Sequence, residues 1–185
     1  MIEFLNKYNP MRTRDKALSS AIMAAVQHNS LYRRGLSTAR KADVIAAWKE
    51  CLVEIAKRYR IPQAVDTYEN DIQTLRDNMN REFSDAFYSQ PHERYHTDPG
   101  FRISHAQKSI SVFLKHLWCM NDVATPPQCP VDSRILKAAG KRYPDTKWGY
   151  VNSLADHREK IAHLIRAKGD DRKALAEWEL DKFRI

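Results

Sequence analysis

Along this chain apolar residues recur every three or four positions in long blocks, and no block alternates strictly between apolar and polar. That spacing is the helical period rather than the strand period. Ala17–His28 is a short alanine-rich helix, with Asp15 to cap it and Leu18, Ile22, Ala25 and Val26 on its buried face. Ser37 or Thr38 opens a long helix whose Ile45, Trp48, Leu52, Ile55 and Tyr59 share one face, and it ends before Pro62. Ala64–Tyr88 carries a stripe of Val65, Tyr68, Ile72, Leu75, Met79, Phe83 and Phe87, the signature of a core helix. From Ser104 a central helix presents Ile110, Phe113, Leu114, Leu117 and Trp118 on one side, while Lys108, Ser111 and Lys115 share another. The loop from Cys119 to Cys129 holds Pro126 and Pro127. After Pro130, Asp132 or Ser133 caps a short helix closed by Gly140. Tyr150–Lys168 turns Val151, Leu154, Ile161, Leu164 and Ile165 inward and stops at Gly169; Asp170 and Asp171 open a last helix with Leu175, Trp178 and Phe183. The pattern predicts an all-α, compact globule of about seven helices. It forms a single domain over 1–185, or two small lobes over 1–102 and 103–185.

Composition narrows the function. Only five glycines occur and none builds a phosphate-binding loop, which excludes P-loop and Rossmann nucleotide sites. The excess of 31 Lys+Arg over 23 Asp+Glu, a net charge of +8, favours encounter with a polyanion and makes DNA the expected partner. Arg33, Arg34, Arg40, Lys41, Lys49, Lys57, Arg58 and Arg60 form the densest basic stretch, read either as a phosphate-contacting surface or as a solvated helix face. Three irregularly spaced cysteines suit a reduced protein and cannot alone supply a four-thiolate cluster, so no cofactor is expected. The N-terminus lacks the apolar core of a signal peptide, and no apolar run reaches membrane-spanning length. The cytoplasm is the expected compartment, with no membrane association.

His92, Glu93 and His96 form an H-E-x-x-H match, which on a helix places two imidazoles beside a general base for zinc. Pro91 and Pro99 leave that helix barely two turns. The metzincin continuation is missing, since Pro99 and Arg102 stand where glycine and histidine belong. Asp98 and His105 are the remaining candidates for a third ligand; no metal is expected.

Lys108 and Asp132 are the candidate catalytic residues. A lysine amine attacks an anomeric carbon only after losing its proton, which burial or a neighbouring cation such as Lys115 promotes. An ionised carboxylate stabilises the cationic transition state of a breaking glycosidic bond, and the start of a helix favours that ionised form. The two can meet. The helix climbs roughly 15 Å from Lys108 to Trp118, and the return segment can span up to roughly 40 Å.

A lysine near the start of an apolar helix, followed by Pro130-Val131-Asp132 opening another, resembles the helix-hairpin-helix DNA glycosylase superfamily, the relatives of endonuclease III and 8-oxoguanine glycosylase. The likeness covers Ile103–Gly140 only. In that family a Gly-x-Gly-x-Lys hairpin grips a DNA phosphate, its lysine forms a Schiff base in bifunctional members, and the downstream aspartate is catalytic. The resemblance implies a helix-hairpin-helix-like element near 100–115, with Ser104 and Ala106 standing where the family has glycines. It implies Lys108 and Asp132 as the catalytic pair; the expected nucleic-acid contacts are Arg33, Arg34, Arg40 and Lys41 of the basic stretch with Ser104, His105 and Lys115. Tyr95, Phe101 and Trp118 are the aromatics that could stack on an extruded base. The expected function is a DNA glycosylase or glycosylase/AP-lyase that cleaves the N-glycosidic bond of a damaged or modified base. The alternative is a non-catalytic, basic, helical nucleic-acid-binding protein or phage/host accessory factor.

Overall fold

A computed structural model describes residues 1–90 and 99–183. Among them are eight α-helices: α1 (Ile2–Tyr8), α2 (Arg14–Val26), α3 (Thr38–Arg58), α4 (Val65–Phe83), α5 (Ile103–Cys119), α6 (Ser133–Ala138), α7 (Leu154–Lys168) and α8 (Leu175–Lys182). The fold is all-α, as the period of the apolar positions requires. Side-chain caps fix several starts: Thr13 accepts from the Lys16 N–H, Ser37 from Arg40, Asp132 from Arg134 and Ile135, and Ser153 from Asp156. Thr13 therefore takes the capping place expected of Asp15, which lies within the first turn of α2.

Other departures have local causes. Helix α1 was not expected; at seven residues it is too short to show a period, and it is held by burial of Phe4 and Leu5 against Trp118, Cys119 and Ala176. Helix α4 stops at Phe83 rather than Tyr88. Beyond a 3-10 turn at Ser84–Ala86, the backbone pairs across the chain: Arg33 N–H donates to the Ala86 carbonyl at 3.0 Å and Tyr88 N–H to Leu31 at 3.1 Å. Helix α7 starts at Leu154 rather than Tyr150, because Val151 is held elsewhere, its carbonyl accepting the Ser104 N–H at 2.9 Å. Helix α8 starts at Leu175 rather than at the aspartate pair. Val65 and Ile165, expected inward, are 43% and 50% exposed.

Helix α5 is the axis. Helices α2, α3 and α4 wrap one side of it, and Trp48, Tyr68, Ile72, Leu75, Met79, Phe113 and Leu117 fill the space between. A second apolar cluster joins Val131, Ile135 and Leu136 to Ile161, Leu164, Leu175 and Trp178, and so ties α6, α7 and α8 together. Because α5 packs with the N-terminal helices, a lobe boundary at 102/103 would sever it from its own core. No described helix is long and apolar enough to cross a membrane.

Trp48 is fully buried, packs edge-on to Phe101 with ring centroids 4.7 Å apart, and donates its indole N–H to Ser109 at 3.0 Å. Trp48→Ala is expected to lower the unfolding free energy by about 3–5 kcal/mol, measured by urea denaturation.

Candidate active site

Helix α5 is wrapped so completely that, apart from partly exposed Val112, every residue from Ile103 to Cys119 is buried, polar side chains included. A buried polar group must find a partner or incur its desolvation cost. Gln107 donates to the Val131 carbonyl at 3.0 Å and accepts the Val131 N–H at 3.3 Å, which pins the strand-like approach to α6 against α5. At the next residue of each segment, Lys108 Nζ lies 2.6 Å from Asp132 Oδ2, with the two side chains 8% and 15% exposed. The other carboxylate oxygen, Oδ1, accepts the backbone N–H groups of Arg134 and Ile135 at 2.9 and 3.0 Å. Asp132 thus caps α6 and holds Lys108 with the same side chain. Two turns along α5, Lys115 Nζ is 3.0 and 2.7 Å from the two carboxylate oxygens of Glu179, and lies over the rings of Phe4 and Phe183 at 4.8 and 4.0 Å.

Both pairs line one cavity of about 450 Å³, within the range of small-molecule sites. Its walls include Phe4, Tyr8, Met23, Val112, Trp148 and Phe183, with His116 beside Lys115. Trp148 faces Lys108, its ring centre 5.7 Å from the ammonium. The two carboxylates are driven in opposite directions. Burial alone raises the Asp132 carboxyl, but the Lys108 charge, its hydrogen bond and two backbone N–H groups outweigh burial and hold it below the usual range. Burial raises Glu179 too, and there the Lys115 ammonium only partly offsets it, leaving that acid above its usual range. Burial, with Lys115 and Lys16 adding to it, lowers the His116 imidazole to about 4, so its ring is neutral near pH 7. His116 Nδ1 is buried and has no hydrogen-bond partner among the described residues. The cavity thus combines a fixed carboxylate, an amine, a second acid of raised pKa, a neutral imidazole and aromatic walls.

The other residues expected at the site fall elsewhere. Ser104 and Ala106 lie inside the first turn of α5 rather than in a hairpin loop. Their N–H groups are used internally, on Val151 and Arg102, so the phosphate grip of a glycine hairpin has no counterpart here. Ser104 and His105 are fully buried and cannot touch nucleic acid in this conformation. His105 is a structural residue: its Nδ1 accepts the Arg102 N–H at 3.1 Å, leaving Nε2–H to donate to the Asn29 carbonyl at 3.2 Å. Phe101 is core, packed on Trp48, and Trp118 is buried with Phe4 and Leu5. Neither can stack on a base. Lys115 is sealed by its ion pair rather than offered to phosphate. On the far basic stretch Arg40 is paired with Asp85 at 2.6 Å, Arg33 donates to the Asp85 carbonyl at 2.6 Å, and Lys41 lies over Tyr32; Arg34 is exposed. Tyr95, His92, Glu93, His96 and Asp98 lie outside the described residues, among which no cluster of three metal-ligating side chains occurs.

Glu179, His116, Trp148, Phe4 and Phe183 were not anticipated. Glu179 had a legible signal, since it follows Leu175 by one helical turn on the face that buries Trp178. Phe4 had none, because α1 carries no periodic pattern. The chain matches no family model, no curated protein and no solved structure.

His116 and His157 are both lowered to about 4, chiefly by burial. With folded values below the unfolded value near 6.5, the neutral rings stabilise the fold fully above pH 6.5, and that contribution is lost as pH falls toward 4. The melting temperature is therefore expected to drop between pH 6.5 and 4, and the drop should shrink in a His116→Gln/His157→Gln variant.

Proposed function

We propose that this chain cleaves the N-glycosidic bond of a base in DNA, with Lys108 and Asp132 as the catalytic residues. The observation that carries the reading is the 2.6 Å contact between Lys108 Nζ and Asp132 Oδ2 on the wall of an aromatic-lined cavity. A base drawn from the stack would lie against Trp148, Tyr8 or Phe183, and its sugar C1′ would face the pair. Asp132 is held ionised, so it stabilises positive charge as it develops on the sugar ring. As the C1′–N bond breaks, its electron pair leaves with the base, which takes a proton from the Lys108 ammonium. The freed amine then adds to the cationic C1′ while Asp132 stays ionised. Transfer of one proton from the C1′-bound nitrogen to the ring oxygen opens the ring and gives a protonated imine at C1′, the intermediate from which strand cleavage proceeds.

A second reading has its own support. Asp132 also caps α6, so the pair would serve equally well as a lock that docks α6 on α5 in a non-catalytic binding protein.

The test separates the two. The protein is incubated with oligonucleotides bearing uracil, 8-oxoguanine, alkylated or hypermodified bases, and adducts are trapped with borohydride and located by mass spectrometry. The expected result is an adduct on Lys108 with at least one of them, absent in Lys108→Met, with base release slowed by about 10²-fold or more in Asp132→Asn. Circular dichroism confirms that both variants are folded. No adduct and no abasic product on any substrate would leave only the structural lock.

A further inference from the structure

The cavity holding Lys108 and Asp132 does not stand alone. It meets a second concavity of about 280 Å³ at His28, Ser133 and Trp148, and a third of about 910 Å³ at Tyr8, Arg134, Glu179 and Phe183. Lys137 borders both of the outer two. The three make one furrow that passes over α6, with the ion pair at its middle. Arg134, Lys137, Lys147, Lys7 and Lys182 line it with one exposed carboxylate, Asp181, which pairs with Lys173, and no carboxylate lies within ion-pair distance of any of those five cations among the described residues.

The basic stretch on the α3 side is matched in part. There Arg40 is matched by Asp85 and Asp43, Lys57 by Glu54, and Arg58 by Asp71, while Arg33, Arg34, Lys41, Lys49 and Arg60 have no carboxylate at ion-pair distance among the described residues. The furrow's cations are set apart by lining a concavity. Aromatic rings are interleaved with the furrow's cations as well: Tyr143 is 74% exposed, and Lys147 lies 4.9 Å from its ring centre and 4.8 Å from that of Tyr150. Cations spaced along a groove with aromatic platforms between them suit a strand of nucleic acid, whose phosphates and bases alternate in the same way.

We propose that this furrow is a DNA-strand-binding surface, with Arg134, Lys137 and Lys147 on backbone phosphates and Tyr143 stacking on a base beside the cavity. The choice of DNA rests on the glycosidic reading of the cavity; the furrow itself is read from its shape and its unmatched charge.

Binding of a fluorescein-labelled single-stranded DNA, followed by anisotropy over a range of salt, tests it. Lys137→Glu/Lys147→Glu is expected to weaken binding about tenfold or more and to make the salt dependence of log K shallower by about 1–2. Arg34→Glu/Lys41→Glu on the α3 side is expected to leave binding within about twofold. Four results overturn the proposal: no DNA binding at low salt, no effect of the furrow reversal, equal weakening by the α3-side reversal, or displacement of the DNA by RNA of the same sequence at far lower concentration. The two readings fail separately. Furrow-independent binding with an intact Lys108 adduct removes the furrow and keeps the catalytic pair. Furrow-dependent binding with no adduct or abasic product keeps the furrow and removes the pair.

Discussion

A lysine ammonium taken out of water needs a counter-charge, because its desolvation costs several kcal/mol even after the protein relaxes. Helix α5 buries two of them. Lys108 and Lys115 lie two turns apart on a helix that is packed on every side, and the acids that answer them come from far downstream, Asp132 at the cap of α6 and Glu179 within α8. The C-terminal half of the chain is thus docked on the central helix by charge as well as by apolar contacts such as Ala176 against Trp118 and Cys119. A cavity of about 450 Å³ persists between the two pairs, with Phe4 of α1 and Phe183, just past α8, as its edges.

The same arrangement sets the chemistry of the cavity. Asp132 gains more from its ammonium and two backbone N–H groups than it loses to burial, while Glu179, more deeply buried, does not. Two carboxylates in one cavity, one held below its usual range and one above it, are a common basis for dividing acid and base roles. The free thiols take no comparable part. Burial raises Cys119 to about 11 and lifts Cys129 well above the usual thiol range, so both stay protonated near neutrality.

Much of this was written in the apolar period. The faces of α3 and α4, the central helix with its lysines and the Asp132 cap follow from spacing and capping signals, while chain reach permitted Lys108 to meet Asp132 and the family resemblance singled out that pair. What stayed hidden depends on contacts between distant segments. Trp118 already stood on the apolar face of the central helix, but nothing local distinguishes Phe101, which is core, from an exposed aromatic that could meet a base, and nothing near Ser104 announces that Val151 will take its N–H. Charge pairing was hidden in the same way: Arg40 and Arg58 find Asp85 and Asp71 on the turn after α4 and on α4, whereas the scattered Arg134, Lys137 and Lys147 converge only in space. Charge density along a sequence is a poor guide to charge density on a surface when the fold supplies the partners.

The claim beneath all of this is that Lys108 and Asp132 form a desolvated pair joining α5 to α6. A double-mutant cycle tests it most directly, with unfolding free energies measured for the wild type, Lys108→Ala, Asp132→Ala and the double variant. A coupling energy of about 2–3 kcal/mol is expected for a contact of this length and burial. Additive effects, with a coupling below about 0.5 kcal/mol, would mean that the two charges are solvated and separate, and the cavity as described here would not exist in solution.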